Sequence, residues 1–276
     1  VISVLILTLN EEANLPRCLE SVKWSDDIIV FDSFSTDRTV EIAKVAGARV
    51  IQRTFDNWAS HQNWALQSIQ FKHPWVYYSD ADEVVPPDLR DEMLTVARSN
   101  GNPTVAYRLR YKNFFMERWI RHCGIYPVWI LRLFQPEKVR WERLVNPVPL
   151  VQGKEGRLQS HFEHYTFNKG FEAWFDKHNR YSSDEARETL KAVTGGRWSM
   201  RQLFTSDTVV RRRALKELSF HLPCRPLLRF AYMYFLHLGF LDGLAGYHYC
   251  RLLSIYEYLI VMKIKEIRRR EAGLRL

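Results

Sequence analysis

"DDIIVFDSFSTDRTVEIAKVAGARV", residues 26–50, decides the fold. It opens with a β-branched apolar run, Ile28–Phe31, and crosses a polar turn into a helical pattern that Asp37 is placed to cap and Gly47 to stop. A second short apolar run, "ARVIQR" at 48–53, follows at once. Strand, helix and strand in that order make a crossover unit, and such units build parallel sheets.

The same rhythm extends in both directions. Val1–Thr8 is an apolar run of the kind that fills a central parallel strand, and a helical pattern follows over 15–23 with Pro16 in its first turn. Downstream, residues 58–70 predict a third helix, Trp75–Tyr78 a fourth strand and Pro87–Arg98 a fourth helix. Residues 1–100 therefore predict an α/β fold with a doubly wound, mostly parallel, Rossmann-like sheet.

Composition sets the bounds. With 276 residues, 46% apolar and 14% aromatic, the chain can bury a core and is too hydrophobic to stay disordered. Lys and Arg number 40 against 31 Asp and Glu, and the resulting +9 favours anionic partners: nucleotides, lipid head groups or nucleic acid. Cys18, Cys123, Cys224 and Cys250 lie far apart with no C-x-x-C pair, so neither a zinc knuckle nor a disulfide framework is expected, and a reducing cytosol fits. The opening "VISVLILTLNEE" lacks a basic n-region and a cleavage site, and reads as a strand rather than a signal peptide.

After Arg98 the rhythm changes. "AYRLRYKNFF" (106–115), "YPVWILRLFQ" (126–135) and "VRWERLVNPVPLV" (139–151) are expected to form antiparallel strands and binding loops beside the sheet. Residues 169–191 return to a helical pattern, and "TGGR" at 194–197 is the linker candidate. From Trp198 the chain turns basic in "VVRRRALK" (209–216), apolar and aromatic over 226–265, and basic again in "KEIRRREAGLRL" (265–276). The longest charge-free run there, Phe230–Leu241, falls short of the ~20 residues a spanning helix needs. Interfacial helices are expected instead, with a helical hairpin packed on the main domain or on a second subunit as the alternative. The expected division is 1–193, with a nucleotide half at 1–100 and an acceptor half at 101–193, followed by a helical extension at 198–276.

In an open parallel sheet, ligands bind beyond the carboxyl ends of the strands. Three predicted strands end there in polar groups: Thr8-Leu9-Asn10-Glu11, Asp32-Ser33 and Ser79-Asp80-Ala81-Asp82. No G-x-G-x-x-G follows the first strand and no P-loop is present, so neither glycine-based phosphate cradle is available. A divalent cation neutralises a diphosphate equally well, and Asp-x-Asp on a turn supplies the hard oxygens that Mg²⁺ or Mn²⁺ takes.

"VLILTLNEEANLPRCLESVKWSDDIIVFDSFSTDRTVEIAKVAGARV" (4–50), "QNWAL" (62–66) and "WVYYSDADE" (75–83) resemble the inverting, GT-A-fold glycosyltransferases of family 2. The resemblance is continuous to about residue 135, and is nearest to bacterial enzymes that extend lipopolysaccharide core or exopolysaccharide glycans; "RFAYMYFLHLGFLDGLAGYHYC" (229–250) is similar to the tail of one branch of them. It implies a GT-A domain with a membrane-associating C-terminal extension, peripheral on the inner face of the cytoplasmic membrane. It also implies a nucleotide-diphosphate sugar donor, UDP-sugar favoured, a divalent cation, and a lipid-linked or polysaccharide acceptor. By the same resemblance Thr8, Asn10 and Glu11 line the nucleotide pocket and Asp32 hydrogen-bonds the base. Gln62 and Asn63 contact the donor, Asp80 lies on the ribose and metal side, and Asp82 binds the cation. Capping and turn formation compete with function at Asn10, Ser35 and Asp37.

Glycosyl transfer also needs a carboxylate to take the proton of the acceptor hydroxyl. Family members usually carry it in a V-H-E-like stretch after an R-L-F strand; here Arg132-Leu133-Phe134 is followed by "RWERLVNPVPLV" (140–151), and Pro147 occupies the aligned position. Glu142 in that loop is the first candidate to replace it, Glu163 in "SHFEHY" (160–165) is the alternative and impaired transfer the third reading, while Glu142 could equally be a surface ion pair with Arg140 or Arg143. His161 and His164 are expected on a strand or loop rather than on a metal. "DKHNRYSSDEA" (176–186) is expected to be a solvated helix face. The competing whole-chain reading is a non-catalytic basic protein that binds membrane or nucleic acid on an α/β scaffold; a sugar nucleotidyltransferase lacks support because no Gly-rich loop stands near the start. Under the enzyme reading no nucleic acid is expected, and a homodimer through residues 200–265 is the alternative to membrane attachment.

Overall fold

The computed structural model describes residues 1–99, 101, 103–142, 147–194, 205, 210–211, 214 and 224–276. Contacts divide them into two compact units, Val1–Trp119 with Ile125–Asn168, and Ile120–Gly124 with Lys169–Leu276.

The first unit begins with the predicted alternation: β1 (Ile2–Thr8), α1 (Leu15–Val22), β2 (Ile28–Asp32), α2 (Thr39–Val45), β3 (Arg49–Gln52), α3 (Trp58–Ser68) and β4 (Trp75–Asp80). The strands lie in the order β3-β2-β1-β4, all parallel. All seven residues of β1 are buried, as a strand covered on both faces requires. Local chemistry sets the helix ends. Asp37 Oδ1 accepts the Thr39 N–H at 3.0 Å at the start of α2, and Gly47, at φ +78°, follows its end. Asn57 caps α3 by accepting the Ser60 N–H at 2.9 Å.

The remaining strands do not all stand beside this sheet. After β5 (Glu83–Val84) and α4 (Pro87–Arg98) come β6 (Thr104–Phe115), β7 (Arg118–Trp119), β8 (Trp129–Phe134), β9 (Val139–Glu142), β10 (Val148–Val151) and β11 (Lys154–His164). The main sheet continues from β4 as β8-β6-β11-β5, because the open edge of a buried strand has to be paired. β8 runs antiparallel to β4 and β6, as expected for 106–115 and 126–135, whereas β11, for which the sequence suggests no direction, runs parallel to β6. A register shift between Arg157 and His161 breaks the alternation of β11 and hides its length in the sequence. Only β9 and β10 form a separate two-stranded sheet. One face of the main sheet buries α1, α2 and α4 against Val4, Ile6 and Tyr77. The other buries α3 and the β9 residues Val139 and Trp141 against Leu5, Phe31 and Tyr78.

The second unit holds α5 (Gly170–Thr194), a short helix (Arg225–Ala231), a widened turn (Tyr232–Leu236), a tight turn (Gly239–Asp242) and a long helix (Gly243–Glu271). The helix expected over 169–191 in the acceptor half is therefore α5, and it clusters with the C-terminal residues; Lys263 Nζ donates to Ser183 Oγ at 2.8 Å. A Cβ on Gly246 would stand 2.2 Å from the Gly239 carbonyl oxygen, so only glycine lets the turn lie directly on the long helix. Buried Asp242 accepts the His122 N–H at 2.9 Å and lies 2.8 Å from His122 Nδ1. Two cysteines that are distant in sequence meet here: Cys123 Sγ and Cys250 Sγ are 3.4 Å apart, both free thiols. The linker candidate beyond Thr194 and most of the basic stretch at 209–216 lie outside the described residues. Among the described residues no helix is long and apolar enough to cross a membrane.

Within the first unit, His61 on α3 is 1% exposed and stacked 4.2 Å from Phe31, with Arg53 Nη1 3.0 Å from its Nδ1. Burial, then the charge of Arg53, push its pKa down from 6.5 to about 4. A depressed folded-state pKa gives stability that is present above the unfolded value and lost as pH falls through the folded one. Acidification from pH 7 to 5 should therefore remove roughly 2 kcal/mol of unfolding free energy through this residue. Urea titrations of the parent and His61→Gln at both pH values test this: the variant's loss on acidification should be smaller by that amount.

Candidate active site

Strand register brings the carboxyl ends of three strands into a row, with Thr8 opposite Asp32 and Leu7 opposite Asp80. The loops that follow β1 and β2 lock each other. Asp32 is fully buried, and its oxygens accept from Thr8 Oγ1 at 2.9 Å, Ser35 N at 2.9 Å, Gln52 Nε2 at 3.0 Å and Ser35 Oγ. Burial alone would raise its pKa, but these hydrogen bonds outweigh it and hold the carboxyl below the ordinary range. Asn10, at φ +55°, accepts the Thr36 N–H through Oδ1 at 2.8 Å, and its own N–H donates to Ser35 Oγ at 2.8 Å. The Glu11 N–H donates to Thr39 Oγ1 at 2.7 Å, while Glu11 Oε2 accepts from Asn14 Nδ2 at 2.8 Å. The three residues expected to line the nucleotide pocket, Thr8, Asn10 and Glu11, thus hold the loops together, and Asp32, expected to meet a base, faces the interior with its oxygens engaged.

Gln62 and Asn63 are likewise turned inward. Gln62 Nε2 donates to the Tyr78 hydroxyl at 2.6 Å, while its buried Oε1 has no hydrogen-bond partner. Asn63 exchanges two 2.8 Å bonds with the backbone of Trp141, pinning β9 to α3. Their amides position α3 and β9 rather than project as free donor contacts.

At the end of β4 the acidic turn is organised by a buried ion pair that the sequence reading did not assign. Arg132 Nη2, on β8, donates to Asp80 Oδ2 at 2.6 Å and also to Glu83 Oε1. Glu83 is 1% exposed, and its Oε2 accepts from Asp80 N at 3.3 Å and Ser79 Oγ at 3.4 Å. Burial pushes the Glu83 carboxyl up, against the opposing pull of Arg132. His164 Nε2 stands 3.4 Å from Asp82 Oδ2; burial works against its charge, but Asp82, Glu83 and Asp80 outweigh it and raise its pKa. One signal for this cluster was legible: Arg132 is the single charge in the apolar strand "WILRLF", and a buried arginine requires an acid.

This donor set fits a hard divalent cation. Asp80 and Glu83 face one guanidinium, Asp82 stands beside His164, and Asp80 Oδ1 accepts no hydrogen bond among the described residues. No group of three or more His, Cys, Asp or Glu that could hold an ion by itself occurs among the described residues. An ion here would take one or two protein oxygens and complete its shell from diphosphate and water.

The base candidates separate. Glu142 is exposed at the end of β9, opposite Val148 in the small sheet, and makes no ion pair with Arg140; Arg143 lies outside the described residues. Pro147 stands just before β10. Glu163 lies on β11 opposite Val84, with His164 opposite Glu83 and the Tyr165 N–H bonded to the Asp82 carbonyl at 2.9 Å. Its Oε2 accepts from the Tyr165 hydroxyl at 2.6 Å and lies 3.7 Å from Arg17 Nη2, leaving Oε1 without a partner among the described residues. On this strand His161 and His164 point to opposite faces, so they cannot ligate one ion together.

Removing one partner of a buried pair leaves an uncompensated charge, at a cost of about 3–5 kcal/mol. Arg132→Met should destabilise the protein by that amount in urea unfolding, and combining it with Glu83→Gln should recover a large part of the loss.

Comparison with known proteins identifies the family. The sequence profile described as glycosyl transferase family 2 matches residues 3–154. An uncharacterised glycosyltransferase of Rickettsia typhi is 30% identical over 205 residues, 69% of this chain and 68% of that one. The lipopolysaccharide core biosynthesis glycosyltransferase LpsC of Rhizobium meliloti is 30% identical over 120 residues, covering 42% of this chain and 43% of its own. Among solved structures, glucosyl-3-phosphoglycerate synthase of Mycobacterium tuberculosis, in complex with Mn²⁺, UDP and glucosyl-3-phosphoglycerate, is 26% identical with a TM-score of 0.35, covering 41% of this chain and 44% of that one. The chain thus spans less than half of LpsC and of the mycobacterial enzyme. The family profile covers more than half of this chain, and the chain belongs to glycosyl transferase family 2.

Proposed function

We propose that the protein transfers a sugar, with inversion, from a nucleotide-diphosphate sugar, a UDP-sugar by preference, to a lipid-linked or polysaccharide acceptor of the cell envelope. The observation that carries this reading is the Asp80-Ala81-Asp82-Glu83 turn, set at the carboxyl end of a parallel strand and braced by Arg132. Asp82 and Asp80 would hold Mg²⁺ or Mn²⁺, which supplies positive charge to the departing diphosphate. Arg132 and Glu83 keep Asp80 oriented. Thr8, Asn10, Glu11 and Asp32 keep the two neighbouring loops in the shape against which a nucleotide would lie.

Of the two base candidates Glu163 is the better placed, since its strand pairs with the residues that follow the acidic turn. Tyr165 and Arg17 fix its Oε2, and Oε1 would accept the proton of the acceptor hydroxyl as that oxygen attacks the anomeric carbon. Loss of a general base typically costs about 10²–10⁴-fold in rate. Glu163→Gln should therefore lower kcat by that factor, Glu142→Gln should leave it within about twofold, and Asp82→Ala should abolish metal-dependent transfer. Product analysis with a panel of nucleotide sugars measures all three, and an inactive Glu142→Gln beside an active Glu163→Gln would reverse the assignment of the base.

Attachment to the inner face of the cytoplasmic membrane through the C-terminal helices belongs to the same proposal. Leu236 and Leu244 are 75% and 76% exposed, with Phe235 and Leu241 also exposed nearby in the chain and Arg251 lying over Phe230. Exposed apolar side chains among arginines suit an anionic lipid interface. Burying a leucine contributes about 1.5–3 kcal/mol, so Leu236→Glu with Leu244→Glu should weaken sedimentation with anionic vesicles by at least about tenfold. Unchanged sedimentation, or a stable dimer in lipid-free solution that the same substitutions dissociate, would assign this face to a second copy.

A further inference from the structure

We propose that the face of β6, β8 and β11 carrying Arg110, Lys112, Arg157 and Trp129 binds an anionic saccharide, the phosphate- or carboxylate-bearing part of the acceptor. The inference rests on the transferase reading above and adds the chemical class of the acceptor.

Register assembles the surface. Arg110 lies opposite Trp129 on β8 and opposite His161 on β11, and Lys112, two residues along β6, shares its face. The guanidinium carbons of Arg110 and Arg157 each stand 5.0 Å from the centre of the Trp129 ring, and Lys112 Nζ stands 5.2 Å from that of Trp119. Among the described residues none of the three cations forms an ion pair with a carboxylate. Arg110 donates through Nη2 to the Gln159 carbonyl, and its buried Nε has no partner. Arg157 and Lys112 have only their rings. The neighbouring Arg108 differs, being paired with Glu155 at 2.6 Å.

Three positive charges without a carboxylate partner among the described residues share one strip of sheet, and an anion can join them. His161 reports the same field: burial, then Arg110 and Lys112, depress its pKa. Planar guanidinium groups match carboxylate and phosphate oxygens two at a time, and a tryptophan face gives the apolar side of a sugar ring a platform. The combination suits a charged sugar better than a lipid, because the strip has few aliphatic side chains to enter a bilayer. Its position suits an acceptor as well. Lys112 lies opposite Glu163 in the β6–β11 register, so a saccharide held by its charge on this face runs toward the carboxylate proposed as base.

Calorimetry on the full chain tests the proposal with maltotriose phosphate, maltotriose and inorganic phosphate as probes. Maltotriose phosphate should bind at least about tenfold more tightly than either of the others. Lys112→Gln with Arg157→Gln should erase its advantage over maltotriose, and Trp129→Leu should weaken both saccharides. UDP binding and the thermal midpoint, measured on the same variants, should stay at parental values. Equal affinity for the phosphorylated and neutral sugars, no binding of either, inorganic phosphate binding as tightly as the phosphosugar, or a preference that survives the double substitution would each overturn it. If Asp82→Ala kept transfer activity while the phosphosugar preference held, the catalytic reading would fail and the saccharide surface would stand.

Discussion

A guanidinium with almost no access to water sits at the centre of the first unit. Arg132 is buried on β8, where an unpaired charge could not persist, and it is neutralised by one acid from the exposed end of the Asp-x-Asp turn and one from the interior. Glu83 in turn receives the Asp80 N–H and the Ser79 hydroxyl, so the same pair that solves the electrostatic problem of β8 also fixes the shape of the turn after β4. Fold and site share one interaction.

The three loops at the sheet edge illustrate different ways of presenting polar groups. After β1 and β2 the motif residues face one another, and the two loops form a single hydrogen-bonded body around Asp32. After β4 the acids face outward, with Asp80 half exposed and Asp82 next to His164. The carboxylate proposed as base comes from a strand that joins the sheet late in the chain and pairs with the residues that follow the acidic turn.

The doubly wound half was legible in the sequence because each of its units is local: an apolar run, a capped helix and a glycine stop lie within about 25 residues of one another, and periodicity reads such distances well. The later strands depend on partners far along the chain. β11 pairs with β6 in parallel across β8, β9 and β10, and its bulge erases the alternation that would have announced it. Asp80 and Asp82 could be found as a motif. Glu83 looked like the motif's last letter, since nothing in sequence says that an acid turns inward. The sequence puts Glu142 ahead of Glu163, because it lies in the loop that follows the R-L-F strand, and strand register reverses that order in the reading proposed above. Pairing of β11 with β5 brings Glu163 to the turn, while pairing of β9 with β10 leaves Glu142 on a separate small sheet.

Asp32 carries a consequence for how such a protein can change over generations. Its carboxylate is balanced by donors from three segments, Thr8 on β1, Ser35 in the loop after β2 and Gln52 on β3. Replacing any one of them leaves a buried negative charge short of a donor, whereas replacing the aspartate strands all of them. These positions are therefore one inherited character spread over distant codons, and a lineage should keep the set whole or lose it together.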